Sequence, residues 1–379
     1  MTGTKASLGE PAPDLLYSEA EDDLRAAVRA LLADRADAAS VLARTESAEP
    51  VDRGLWKVLG ADMGTAGLLV PEKLGGQGAT HREAAVVLEE LGRTVAPVPY
   101  LTSAVIAVET LLGLGAEDGE AAGPLAALAG GRSVGVLALP WSAAPGAVPA
   151  TGVRDAGGGV LTGTVTGVAD AAAADVLLVV ADTGLFAVDA ADATVVPLVP
   201  LDLTRPLASV TLDGTRGTLL ADSATAHAAV RRGLLAGAGL LASEQLGLAD
   251  WCLTETVRYT RERHQFNRPV GSFQALKHRL AQLWLEVVSA RAAARNAADA
   301  LATGSPEAPL AVAVAQAYCS RVAVRAAEEC VQLHGGIGMT WEHPAHLYLK
   351  RAKADAIALG TAGMHRDTVG SLADLPAPE

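Results

Sequence analysis

The sequence predicts an α+β chain in three parts. These are a helical N-terminal domain over residues 1–125, a middle antiparallel β-barrel domain over 126–215, and a C-terminal four-helix bundle over 216–379. Three observations carry this prediction. Apolar residues recur at helical period in the first part. Short Val/Leu/Thr runs separated by Gly, Asp and Pro fill the second. The third holds three stretches, each far longer than the roughly three turns of an average helix. A length of 379 residues suits two or three domains of about 100–200 residues each.

In the first part, Ser18 to Leu32 sets Leu24, Val28, Leu31 and Leu32 on one stripe and places Glu19, Asp22 and Arg25 elsewhere. That is an amphipathic helix. A second helix is predicted from about His81 to Arg93. Between them, GLLVPEKLGGQGAT is punctuated by Pro71, Gly75, Gly76 and Gly78. No GK[ST] follows these glycines and the GxGxxG spacing is absent, so they mark turns and not a phosphate loop.

In the middle part, SVGVLAL, GVLTGTVTGV, DVLLVVA, GLFAVDA, ATVVPLV and ASVTLDG read as strands. The gaps are too short for the crossover helices a parallel sheet requires, so a small antiparallel barrel or sandwich is predicted. In the last part, helices are predicted over about Ser223–Arg263, Ser272–Leu301 and Pro306–Leu333. Asn267-Arg268-Pro269 and Thr303-Gly304-Ser305-Pro306 form the joints of the resulting bundle. The Pro/Ala-rich tail, Ala373–Glu379, is expected to fray.

Half the residues are hydrophobic and only 3% are aromatic, so the core must be built from closely spaced Ala, Leu and Val. A net charge of −13 argues against nucleic-acid partners and against an anionic membrane surface. No apolar run reaches the roughly 20 residues of a membrane span, and the N-terminus lacks the pattern of a signal peptide. Cys252, Cys319 and Cys330 have no CxxC partner and read as buried reduced thiols. These features together predict a cytoplasmic protein.

Four blocks stand out: GLLVPEKLGGQGATHREAAVVLEELGR (67–93), RYTRERHQFNRPVGSFQALKHRLA (258–281), CVQLHGGIGMTWEHPAHLYLKRAKA (330–354) and LGTAG (359–363). In this order they resemble the acyl-CoA dehydrogenase family over almost the whole chain. The resemblance implies an FAD site. A pyrophosphate calls for a cationic fork, which Arg263 supplies. Phe266, three residues on, is expected to share its helix face. Gln274 offers both a donor and an acceptor, and Gly335, Gly336 and Gly338 let backbone approach a ligand. The resemblance further implies that Arg263, Phe266 and Gln274 contact FAD from one subunit, while Gln332, Gly335 and Gly336 reach the FAD of a neighbour. Thr361 and Gly363 fall at a further cofactor contact. At least a dimer follows.

The family reaction is αβ-desaturation of an acyl thioester. A carboxylate removes the α proton and the flavin takes the β hydrogen as hydride. The usual base position, just before Gly-Thr, is Leu359 here. The alternative position, on the first long C-terminal helix, falls near Gly237. The nearest acid on that helix is Glu244, about 10 Å further along at 1.5 Å per residue. It is a candidate relocated base or a structural ion-pair partner. The family's Thr-Glu-Pro-Gly-x-Gly-Ser-Asp text is replaced by LALPWSAAPGAV (137–148), where only Pro140 and Trp141 hold comparable places. Its later flavin-covering text is replaced by GVADAAAAD (167–175).

Three readings stay open: a dehydrogenase with a non-standard base, a catalytically silent subunit of a heteromeric dehydrogenase, and a diverted monooxygenase or oxidase. The implied partners are an acyl-CoA or acyl-carrier thioester, an electron-transfer flavoprotein or oxygen as acceptor, and other subunits. The assembly is a homodimer or homotetramer, or a heterotetramer with a paralogue.

Overall fold

A computed structural model describes residues 15–115, 119–146 and 148–375. The reading of the extreme N-terminus and the end of the Pro/Ala-rich tail lie outside the described residues.

Local chemistry starts the N-terminal helices where the sequence places them. Helix α1 (Glu19–Arg35) opens on a capping box: Ser18 Oγ accepts from the Glu21 N–H at 3.2 Å, and the Glu21 carboxylate accepts from the Ser18 N–H at 2.6 Å. Short helices α2 (Ala38–Thr45) and α3 (Arg53–Trp56) follow. Helix α4 (His81–Thr94) repeats the capping device with Thr80 and Glu83. The glycine-rich connection before it is a folded turn. A side chain at Gly76 would collide with the Val70 carbonyl, so these glycines serve packing. Residues Tyr100–Ala107 form a buried π-helical segment that runs into α5 (Val108–Leu112), with α6 (Ala122–Ala129) beyond. Such widened turns are frequent at functional sites.

The middle domain is two four-stranded sheets. Its strands are β1 (Gly135–Leu137), β2 (Arg154–Asp155), β3 (Val160–Ala169), β4 (Val176–Ala181), β5 (Gly184–Asp189), β6 (Thr194–Pro197), β7 (Leu207–Arg216) and β8 (Thr218–Asp222). The sheet orders are β1-β4-β5-β8 and β2-β3-β7-β6. All pairs are antiparallel except β1 with β4, which are parallel. Strand β8 carries the sheet past residue 215 to Asp222, which then caps α7 by accepting from the Thr225 N–H at 2.9 Å.

Helices α7 (Ser223–Glu262), α8 (Gln274–Ala302) and α9 (Ala308–His334) form the body of the C-terminal domain, completed by α10 (Ala345–Asp355) and α11 (Ala362–Leu372). A hairpin of β9 (His264–Gln265) and β10 (Arg268–Pro269) joins α7 to α8. Ala290, Ala294 and Ala297 on α8 and Ala315, Ala323, Ala326 and Ala327 on α9 are fully buried. Small residues at helical spacing let these axes approach closely, as the low aromatic content predicts.

The N-terminal domain docks on α7 by the same means. A side chain at Gly92 would collide with the Glu244 carbonyl, and one at Gly247 with the Glu89 carbonyl. Helices α4 and α7 therefore touch backbone to backbone at two reciprocal points.

Candidate functional site

Three places hold the residues the sequence singles out. The first is a groove of about 660 Å³ in the C-terminal domain, lined in part by Tyr259, Arg263, Arg279, Gln332, Gly335 and Gly336. Arg263 caps the C-terminus of α7, its N–H donating to the Tyr259 carbonyl at 2.8 Å, and its side chain is exposed. Gln332, Gly335 and Gly336 come from the end of α9 and are also exposed. The structure therefore brings Arg263, Gln332, Gly335 and Gly336 into one concavity of one chain. A side chain at Gly335 or Gly336 would meet nothing within 4 Å, so no protein atom accounts for glycine at Gly336. Gly338 differs: a side chain there would lie 2.5 Å from the Val331 carbonyl, so packing alone explains it.

Phe266 does not share a helix face with Arg263. The helix has ended, and Phe266 and Asn267 occupy the turn of the β9–β10 hairpin with φ of 52° and 60°. Positive φ at both central residues is the type I′ signature, uncommon for residues other than Gly, Asn or Asp. The turn leaves the Phe266 ring 86% exposed, edge-on to Phe273 at 6.0 Å. Gln274 begins α8 and is exposed, outside the groove lining. Thr361 caps α11 by accepting from the Met364 N–H at 3.3 Å, and Gly363 lies in its first turn. Neither is brought to the groove.

The second place is the expected position of the base. Leu359 is 1% exposed and sits at φ 51° in the turn before α11. Its N–H donates to the Trp141 carbonyl at 2.8 Å, and its carbonyl lies 3.0 Å from His365 Nε2. A side chain at Gly237 would lie 3.3 Å from Leu359 Cδ1 and 2.6 Å from Ile106 Cγ1. The two alternative base positions thus converge on one point in space. The small void there, about 20 Å³, is lined by Thr102, Ile106, Leu139, Trp141, Leu234, Leu359 and other apolar groups, with no carboxylate among them.

Beside it opens a larger, mainly apolar cavity of about 810 Å³. Its walls come from the loop carrying Ser142, Ala143 and Ala144, from Arg232 and Leu235 on α7, and from His365 on α11. Arg232 Nε donates to Glu109 Oε2 at 2.6 Å. Burial pushes the Glu109 carboxyl up, but His81 and Arg232 outweigh it and hold it below the usual carboxylate range. Arg232, Leu235 and His365 went unrecognised in the sequence, since an Arg or Leu on a helix carries no signal until its neighbours are known.

The third place is the interior around Glu244, which lines neither cavity. Glu244 is 2% exposed. It accepts from Arg205 Nη2 at 2.7 Å and from Arg351 Nη1 at 2.6 Å. Arg351 also bonds Asp202, and donates to Thr204 Oγ1 at 2.6 Å. Arg205 reaches Asp355 Oδ1 at 2.7 Å and lies over the Trp141 ring at 5.1 Å. Burial pushes the Glu244 carboxyl up, yet the two guanidiniums hold it below the ordinary range. A carboxylate so held binds protons weakly. Of the two roles open to Glu244, the geometry is that of the ion-pair partner.

Asp355 carries the cost of this crowding. Burial, with Glu244 close by, pushes its carboxyl up to about 8 against the attraction of Arg205 and Arg351. Between the unfolded value of about 4 and this one, the folded state keeps a proton that the unfolded chain releases. Stability therefore falls as pH rises through that window. Asp355→Asn is expected to remove this slope, so the variant gains on the wild type between pH 5.5 and 8.5. Urea midpoints at the two pH values measure it, and parallel wild-type and variant profiles would refute it.

This layout has known counterparts. The model of the acyl-CoA dehydrogenase N-terminal domain matches residues 18–122, and that of the C-terminal domain matches 227–372. Acyl-CoA dehydrogenase IpdE2 of Mycolicibacterium smegmatis is 37% identical over 343 residues, covering 90% of this chain and 95% of the relative. The ChsE4-ChsE5 complex of Mycobacterium tuberculosis superposes with a TM-score of 0.83 at 29% identity, over 96% of this chain and 100% of that one. A Tcur3481-Tcur3483 steroid ACAD gives a TM-score of 0.82 at 30% identity, over 94% and 98%. With both terminal domains matched and a relative aligned along nearly its full length, the chain belongs to the acyl-CoA dehydrogenase family, whose members are oxidoreductases acting on CH–CH bonds.

Proposed function

We propose that this chain is the base-free subunit of a heteromeric, FAD-dependent acyl-CoA dehydrogenase. In this reading it completes the cofactor site of a paralogue and holds the shared assembly together. One observation carries the reading. Gly237 and Leu359, where the family's base would stand, meet at a single aliphatic point with no carboxylate on its walls. Leucine accepts no proton, so the family's usual base positions cannot remove one in this chain.

The cofactor side fits. Arg263 gives the groove a planar cation for a pyrophosphate. The open space beside Gly335 and Gly336 leaves backbone free to approach it. When bound, the flavin supplies the two-electron acceptor for αβ-desaturation. This chain's own contribution is to bind and orient. Phe266 at its hairpin tip offers an exposed flat ring, and Arg263 is not committed to an ion pair among the described residues.

A partner subunit is supported by large apolar side chains left exposed on the C-terminal domain. Trp284 and Leu285 on α8 are 55% and 53% exposed, and Met339 and Trp341 after α9 are 82% and 50% exposed. Exposed apolar residues of this size, where they form a patch, mark interaction surfaces. The two similar solved structures each carry the names of two chains, which agrees with a heteromer. The substrate of such an assembly is an acyl-CoA thioester.

The test is co-purification. The chain is expressed alone and with a paralogue that carries Glu at the position matching Leu359. Bleaching of the flavin absorbance by an acyl-CoA is then followed. A general base is worth about 10²–10⁴-fold, so the complex is expected to bleach at least about 10²-fold faster than this chain reconstituted with FAD alone. Equal rates, or a complex indifferent to replacement of the paralogue's Glu, would overturn the reading.

A further inference from the structure

Beneath the groove lies a cluster that the reaction does not use. Glu255 on α7, His334 at the end of α9 and His343 in the turn before α10 each offer a ligand atom, all within 4.8 Å of one another. His334 is 2% exposed. Its Nδ1 donates to the Cys330 carbonyl at 2.6 Å. That bond fixes the proton on Nδ1 and turns a lone pair outward from Nε2, which is buried and has no partner. The ring packs against two others, stacked on Tyr259 at 4.3 Å and tilted against His343 at 4.2 Å. A rigid imidazole with its far nitrogen tied to a carbonyl and its near nitrogen free is the arrangement that presents a metal ligand.

We propose that Glu255, His334 and His343 form a binding site for a divalent transition ion of the zinc class. Two imidazoles and one carboxylate, with water in the remaining position, make a ligand set suited to Zn2+. Ligand atoms around a tetrahedral ion with bonds of about 2.0–2.1 Å stand roughly 3.4 Å apart, so the cluster must draw in by about an ångström. Glu255 keeps its bidentate pair with Arg258 on binding, because a carboxylate has lone pairs to spare. His343 pays the larger cost. Its Nδ1 accepts from the Ala345 N–H at 3.2 Å, which places its proton on Nε2. Coordination through Nε2 moves that proton to Nδ1 and breaks this contact.

Binding has a structural consequence. The ion joins α7, the end of α9 and the turn before α10, three segments that meet under the groove. His334 directly precedes Gly335 and Gly336. Occupancy therefore fixes the backbone that lines the groove, and ties the groove's rigidity to the supply of the ion.

The experiment is calorimetric titration of the full-length, flavin-free chain with Zn2+ alone, with thermal unfolding in parallel. One ion per chain and a raised unfolding temperature are expected. His343→Ala and Glu255→Gln, at partly exposed positions, should each weaken binding at least about tenfold. His278→Ala, at an exposed histidine outside the cluster, should leave it unchanged. Co2+ in place of Zn2+ should give a visible d–d absorption that His343→Ala removes. Absence of one-to-one binding, or binding indifferent to both His343→Ala and Glu255→Gln, would overturn the proposal.

Discussion

Arg351→Ala is expected to destabilise the chain by about 3–5 kcal/mol, the cost of stripping one partner from a buried ion-pair network. Arg351 is 2% exposed and ties Asp202, Thr204 and Glu244 together. Without it, among the described residues, Glu244 and Asp355 keep Arg205, and Asp202 keeps the Thr204 N–H and hydroxyl. These groups are buried, so the desolvation cost already incurred in folding goes uncompensated once a partner is lost. Urea unfolding at constant pH measures the loss. A change below about 1 kcal/mol would show that the network does not hold the middle and C-terminal domains together.

The same network separates the two roles of Glu244. As an ion-pair partner, Glu244→Gln lowers the unfolding midpoint and leaves the bleaching rate of the assembled complex unchanged wherever the complex stays folded. As a base, it would lower that rate by about 10²–10⁴-fold. The two outcomes fall on different instruments, so neither can masquerade as the other.

Glu244 also shows what a sequence conceals. Its distance along α7 from Gly237 was readable, because helical rise is constant. Its partners were not. Arg205 is 39 positions away and Arg351 is 107, on a different domain and a different helix. Nothing local announces their convergence. Elements governed by local rules were legible: α1 and α4 begin at the Ser18 and Thr80 caps, and the three long helices follow their apolar period to within about two residues. The parallel β1–β4 pair was not, because pairing across 41 positions leaves no mark on either strand. Phe266 misled for a related reason. Helical spacing from Arg263 was extended through a type I′ turn built from Phe-Asn, without the Asn-Gly that ordinarily signals one. Within the candidate site, the glycines of the groove were legible as glycines. Only the structure tells which of them answer to protein packing and which face open space.

That distinction yields a prediction of large effect. Gly336→Val is expected to leave the flavin-free chain folded and to abolish flavin retention. A Cβ there meets no atom of the surrounding structure within 4 Å, and the residue lies outside the positive-φ set, so neither a Cβ contact nor backbone strain opposes a side chain at this position. Gly336 lines the groove together with Arg263, Gln332 and Gly335, so the added methyl groups take up space there. If the cofactor's backbone-contacting portion lies there, close approach is blocked. Displacement by even an ångström removes charge-assisted hydrogen bonds worth about 1.5–3 kcal/mol each, so two lost contacts weaken binding on the order of 10²–10⁴-fold. Gly338→Ala is the contrasting variant. Its side chain presses on the Val331 carbonyl, so it should lower the stability of the flavin-free chain as well. Thermal unfolding of both variants without flavin, followed by flavin content after gel filtration of each complex, gives the comparison. A Gly336→Val complex that retains its flavin would place the cofactor elsewhere and remove the groove from the proposed function, while leaving the aliphatic seal at Leu359 and Gly237 to be explained on other grounds.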